Sequence, residues 1–249
     1  MSFAFDVEPN DHAESPSIAY SHINFLLTKI AESLGKSKEK LRIYDPYYCD
    51  GTVIENLNSL GYSKVHNRNE DFYSSKPPKF DVLVTNPPYS GDHVERLLKF
   101  CTESKKPFLL LLPNWVYLKP YWTSISNTFY ICPRKRYIYK TPAHLERDLE
   151  QQKKKKKNTS PFVTFWFCGN VSQHFSDVKA ELSKQKDEAI IYVVKTTDLL
   201  PMELLDQYDP TYKRLKNRKK SEKRARGDFS KGCGGWGHKG IKKTVNKQH

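Results

Sequence analysis

The sequence predicts a doubly wound α/β domain with a basic appendix, on three observations. Two nearly uninterrupted apolar runs, Phe80-Asp81-Val82-Leu83-Val84-Thr85 and Pro107-Phe108-Leu109-Leu110-Leu111-Leu112, read as strands buried on both faces, the kind found inside a parallel sheet. Segments of helical periodicity lie between these and neighbouring strand candidates, which is the spacing of βαβ crossovers. The positive charge is confined to one end. Residues 213–249 carry fourteen Lys or Arg against two acidic residues, so +12 of the +14 net charge sits there.

Each element follows from local signals. Ser15 is placed to cap a helix with Pro16 at its first position. Ala19, Ile23, Leu26, Leu27, Ile30 and Leu34 then recur at helical spacing until Gly35 stops the run. Residues 41–44 form a short strand entering Asp45-Pro46-Tyr47-Tyr48-Cys49-Asp50-Gly51. A helix is expected over 52–60, stopped by Gly61, and a weaker strand over 64–67. The strand at 80–85 must end at Asn86-Pro87-Pro88-Tyr89, because two prolines cannot continue a ladder. A helix follows over 93–102. Strands are expected at 128–132, 136–139, 162–168 and 190–194 without regular helices between them, so the sheet should end in antiparallel strands. Residues 144–160, with lysine at every position from 153 to 157, read as a solvated loop. The division is an N-terminal arm over 1–14, one domain over 15–211, and a tail over 212–249 expected to lack structure in isolation.

Composition narrows the function. The chain has 249 residues, 13% aromatic content and a mean hydropathy of −0.73, so it is polar but builds a real core. No run reaches the roughly 18–20 apolar residues of a membrane span. The acidic N-terminus lacks the basic-then-apolar order of a secretory signal, so the expectation is an intracellular protein of nucleus, nucleolus or cytoplasm. Five scattered cysteines without a CxxC pair give neither a disulfide framework nor a metal site. A near-neutral body with a strongly cationic end favours a polyanion, most often nucleic acid.

The chemistry lies in Asn86-Pro87-Pro88-Tyr89. The Asn86 side-chain carbonyl and the backbone carbonyl after it can accept both hydrogens of a planar NH2, aiming the nitrogen lone pair at an electrophile. The prolines fix those carbonyls, and Tyr89 offers a face for a flipped base. In its place after a buried strand, this tetrapeptide resembles the catalytic motif of the class I S-adenosylmethionine-dependent methyltransferases that act on amino groups, the N6-adenine type. The Asp45–Gly51 loop resembles the same family's first motif, with Cys49 where a glycine is common. The resemblance runs over residues 15–170 and leaves the tail outside.

That resemblance implies a Rossmann-like seven-stranded methyltransferase sheet with an antiparallel C-terminal hairpin, and S-adenosyl-L-methionine as cofactor. It assigns Asn86, Pro87, Pro88 and Tyr89 to catalysis. Asp45, Pro46, Tyr47 and Gly51 would hold the methionine part, with Asp45 facing its amino group. Asn67 or Asn69 would meet the ribose hydroxyls, Asp71 and Phe72 the adenine, and Asn86 the reacting end. Tyr89 and Trp166 would take the target base, while Lys153, Lys154 and Lys155 contact phosphates alongside the tail. The implied activity is methylation of adenine N6 in nucleic acid. Structured RNA is favoured over DNA, since no helix-turn-helix, zinc finger or large target-recognition domain is present. A protein partner is not indicated. The same residues leave open a protein glutamine N5-methyltransferase, an N4-cytosine or N2-guanine methyltransferase, and a nucleic-acid-binding module that has lost catalysis.

Overall fold

A computed structural model describes residues 13–139, 162–184 and 191–225 of the chain. The fold is α/β, built on one seven-stranded mixed sheet. Its strands are β1 (Arg42–Tyr44), β2 (Lys64–His66), β3 (Val82–Thr85), β4 (Phe108–Pro113), β5 (Thr128–Pro133), β6 (Thr164–Gly169) and β7 (Ile191–Val194), in the spatial order β2-β1-β3-β4-β6-β5-β7. The first four run parallel. β6 lies antiparallel between β4 and β5, and β7 pairs antiparallel with β5. β5 and β6 are joined through residues 134–163, not by a tight turn.

Helices cover both faces. Along β4, Leu109 and Leu111 point to one side, where they join α1 (Ser17–Ser33), α2 (Thr52–Ser59) and α5 (Phe175–Leu182). Phe108, Leu110 and Leu112 point to the other, against α3 (His93–Ser104) and α4 (Pro120–Thr123). This alternation is why β4 must be apolar at every position. The β1–β3 pairing is anchored at the opposite edge from their C-terminal ends. Asp81 accepts the Arg42 backbone N–H at 2.9 Å, its guanidinium at 2.6 and 3.2 Å, and the Lys36 ammonium at 2.7 Å. Burial alone would raise its pKa, but these donors overcome that and hold the carboxyl well below the usual range. With that end fixed, the register sets Tyr44 beside Leu83 and leaves Asp45 and Thr85 together at the far edge.

Several expectations change. Pro16 is the N-cap of α1, and Ser17 its first residue, one position later than the Ser15 cap predicts. Residues 136–139 form no strand. Tyr137 and Tyr139 are buried while Ile138 is 59% exposed, so the alternation reflects packing without a ladder partner. The tail is not without structure from residue 212, because α6 (Pro210–Ala225) is a helix. Tyr212 and Leu215 of α6 pack on the α3 side of the core. Residues ahead of it dock at the end of β4. The Asn114 amide donates to Leu204 O at 3.1 Å, and the Asp206 N–H donates to the Tyr117 hydroxyl at 2.9 Å. The basic helix is therefore fastened to the edge of the sheet where β1, β3 and β4 all end.

One glycine is dictated by contact alone. A Cβ on Gly169 would sit 1.9 Å from the ring of its cross-strand partner Phe108, which is 1% exposed and cannot turn away. Gly169→Ala is expected to destabilise by about 1–3 kcal/mol or more, read as a lowered midpoint in denaturant with an unchanged m-value.

Candidate functional site

The chain leaves β1 through α2 on one face of the sheet and leaves β3 through α3 on the other. Two neighbouring parallel strands whose connections part in this way open a crevice beyond their C-terminal ends. A cleft of about 30 Å3 lies there, lined by Asp45, Tyr47, Cys49, Gly51 and Val53 from the β1 side, Asn67 after β2, Asn86 after β3, and Ala13, Glu14, Ser15 and Tyr20. Of the residues singled out in the sequence, the structure thus brings Asp45, Tyr47, Gly51, Asn67 and Asn86 together.

Asp45 is buried, and its Oδ1 accepts the Thr85 hydroxyl at 2.5 Å and the Tyr47 N–H at 3.1 Å. Burial raises its pKa to about 7, with the Thr85 and Tyr47 hydrogen bonds opposing and the Glu14 carboxylate adding to the rise. Pro46 is buried behind it. Gly51 adopts φ +82° as N-cap of α2, a left-handed conformation that L side chains rarely adopt. Cys49 is pushed up by burial and by the Glu14 and Asp50 carboxylates, so its thiol stays protonated and is no nucleophile at neutral pH.

Of the two asparagines expected near the ribose, Asn67 is the one in the cleft. It is 5% exposed, and its Nδ2 donates to Asp45 O at 3.3 Å and Tyr47 O at 3.2 Å, which orients the amide. Its Oδ1 is the one buried side-chain polar atom among the described residues that has no hydrogen-bond partner. A buried acceptor left in this way costs about 1–3 kcal/mol, which a donor supplied to the cleft recovers. Asn69, the alternative two residues on, does not line the cleft.

Asn86 is half-buried, Pro87 buried, and Pro88 and Tyr89 half-buried. The Tyr89 hydroxyl lies 2.5 Å from Asn86 Oδ1 and 3.2 Å from Leu111 O. It donates to the Asn86 carbonyl, fixing the side-chain amide and leaving the second lone pair of Oδ1 available. The Tyr89 ring meets the edge of Phe162, with centroids 6.3 Å apart and planes at 80°. Phe162 is 40% exposed, so an aromatic surface does border the tetrapeptide.

Trp166 does not supply that surface. It is 1% exposed and faces α1, where its indole N–H donates to Ala19 O at 2.9 Å. The alternation of β6 turns Trp166 to the opposite side of the sheet from Phe165 and Phe167, which stack in the other core. Asp71 also lies outside the cleft, its Oδ1 accepting the Tyr73 N–H at 3.0 Å. Phe72 stands behind Tyr47, at 5.4 Å between centroids. The Tyr47, Tyr73 and His93 side chains form a polar chain unforeseen from sequence, with Tyr47 Oη 3.0 Å from Tyr73 Oη and Tyr73 Oη 2.5 Å from His93 Nδ1. Arg96 caps it, its guanidinium 3.4 Å from the Tyr73 ring centroid. The adjacent Phe72-Tyr73 and Asp92-His93 pairs were the visible signal. Lys153, Lys154 and Lys155 lie outside the described residues.

Comparison of the chain with known protein families, with curated proteins and with solved structures finds no match.

Proposed function

We propose that the chain is an S-adenosylmethionine-dependent methyltransferase that modifies the exocyclic N6 amino group of adenine in nucleic acid, RNA before DNA. The observation that carries the reading is the position of Asn86-Pro87-Pro88-Tyr89 at the crevice between β1 and β3, with its amide oriented by Tyr89 and the Asp45 carboxyl lining the same cleft. On this reading the sheet is of the Rossmann-like methyltransferase kind.

The donor set suits the cofactor. Asp45 offers a carboxylate for its ammonium, Asn67 Oδ1 an acceptor for a ribose hydroxyl, and Tyr47, backed by Phe72, an apolar wall. When bound, S-adenosylmethionine supplies a methyl group activated by the positive sulfur. The remaining work falls to this chain. Asn86 Oδ1 and the Pro87 carbonyl accept the two N–H groups of the target, which orients the nitrogen lone pair and removes rotational freedom before reaction. Tyr89 keeps Asn86 in place. Tyr89 and Phe162, in place of Trp166, provide the aromatic border for an extruded base.

The docked helix supports a nucleic-acid substrate. Lys213, Arg214, Lys216, Arg218, Lys219 and Lys220 are exposed on α6, at the sheet edge that carries the tetrapeptide. Lys219 is 3.3 Å from Glu203 and Arg218 3.5 Å from Glu222. Replacing Lys213, Arg214, Lys216 and Lys220 together by Ala is expected to weaken nucleic-acid binding and flatten its salt dependence. The slope should fall by roughly 0.7–0.9 log units per log of salt for each phosphate the variant no longer neutralises. Turnover at saturating substrate should stay close to wild type. Isotherms at several salt concentrations check this, and parallel slopes would remove α6 from the binding surface.

Calorimetric titration with S-adenosylhomocysteine, the thioether product, tests the cofactor assignment. One saturable site per chain is expected, and no heat at millimolar ligand would overturn it.

A further inference from the structure

The cleft's 30 Å3 admits about one water molecule, while the ligand proposed for it is a nucleoside joined to an amino acid. The walls show what closes it. Ala13, Glu14 and Ser15, the segment leading into α1, lie along one side. Glu14 is bound there through both carboxylate oxygens. Oε1 accepts the Asp50 N–H at 2.6 Å, and Oε2 accepts the Thr52 hydroxyl.

Those two donors flank Gly51, the N-cap of α2, which has no side chain with which to cap its own helix. A carboxylate from another part of the chain instead bridges the two donors on either side of Gly51, at the electropositive end of the helix. Asn67 gives independent evidence of a missing ligand. It is 5% exposed and lines the same cleft, with its Oδ1 oriented by the amide bonds to Asp45 O and Tyr47 O and lacking a donor. Both Glu14 oxygens face the Asp50 and Thr52 donors, so closure by this segment occupies those donors and leaves Asn67 Oδ1 unsatisfied. A ligand with a carboxylate at one end and hydroxyls further along would satisfy both.

We propose that the Asp50 N–H and the Thr52 hydroxyl form the carboxylate subsite for the amino-acid end of the ligand, and that Glu14 occupies this subsite in the free chain. Residues 13–15 then act as a strap. Binding exchanges one carboxylate for another on the same two donors, and the strap moves out because Glu14 and the ligand carboxylate cannot share those donors without like-charge repulsion. The inference rests on the cofactor reading above for the class of ligand.

The test compares two probes on the full chain. S-adenosylhomocysteine carries the carboxylate, and methylthioadenosine is a similar nucleoside thioether without the amino-acid end. Glu14→Ala removes the competitor, so affinity for S-adenosylhomocysteine should rise about tenfold while affinity for methylthioadenosine changes less than twofold. Glu14→Gln keeps a neutral acceptor for the Asp50 N–H, so it preserves that contact and should give an intermediate gain if Glu14→Ala fails to fold. In the wild type, hydrogen exchange should show residues 13–15 losing protection on S-adenosylhomocysteine binding while the Asp50 amide stays protected. Equal effects on both probes, or weaker S-adenosylhomocysteine binding in both variants, would overturn the subsite. If neither wild type nor variants bind either probe, the cofactor reading falls and takes this inference with it. A wild type that binds normally beside unchanged variants refutes the strap alone.

Discussion

Asn86→Ala should lower methyl transfer by about 10²-fold or more while leaving S-adenosylhomocysteine affinity within a few fold of wild type. The substitution removes an acceptor aimed at the reacting nitrogen, and groups of this kind at a reacting centre contribute about 2.7–4 kcal/mol to the barrier. The effect should fall on kcat more than on KM, because the interaction strengthens as the amine orients for attack. Tyr89→Phe separates positioning from stacking. It keeps the aromatic face and removes the hydroxyl 2.5 Å from Asn86 Oδ1. A loss of about fivefold in kcat is expected, in line with one hydrogen bond of about 1 kcal/mol. Single-turnover rates with bound cofactor would check both, and an active Asn86→Ala enzyme would refute the role of the tetrapeptide.

The second large effect concerns Asp45. Burial lifts its pKa from 3.8 to about 7 in the folded chain. Between those values the folded state holds a proton that the unfolded state has released, so stability falls as pH rises through that window. Three units correspond to at most about 4 kcal/mol. Asp45→Asn keeps an oxygen for the Thr85 hydroxyl and the Tyr47 N–H without the charge. It should flatten the stability profile between pH 4 and 7 and raise the melting temperature at pH 8. Ligand binding should show the opposite pattern. A cationic ammonium favours ionised Asp45, so affinity should rise about tenfold per pH unit up to about 7 and level off above. Asn at this position should lose that dependence and weaken binding by about 10²-fold, the worth of a charge-assisted hydrogen bond. Thermal melts and calorimetry across pH 5–9 would read both. Stability that rises with pH in the wild type across this window would show that Asp45 is ionised in the fold.

These two residues were visible in the sequence because their chemistry is local. Asp45 ends one strand and Asn86 ends another, and each is followed by proline that stops the ladder. Their meeting also follows from local facts, since the parallel pairing of β1 and β3 brings both C-terminal ends to one edge. What depends on tertiary contact was less legible. α6 reads as a charged run, and only Tyr212 and Leu215, set against the core beyond β4, make it a docked helix. Trp166 differs from Phe165 by one position on a strand, and the period of two sends it to the other side of the sheet. Asn67 and Asn69 are alike in type. Burial and the amide bonds to the β1 loop distinguish them, and neither leaves a trace in composition. Glu14 lies outside every motif, and its two contacts with the start of α2 span nearly forty residues.

Transfer of a methyl group to an adenine amino group can be read from its products. Purified wild type and Asn86→Ala would be incubated with methyl-labelled S-adenosylmethionine and separate pools of RNA, DNA and protein, followed by digestion and mass spectrometry. Label is expected in N6-methyladenine nucleoside, more from RNA than from DNA, and at least about 10²-fold less with the variant. Label on glutamine side chains, on cytosine or guanine, or in equal amounts with the variant would contradict it, as would wild-type protein that transfers no label at all.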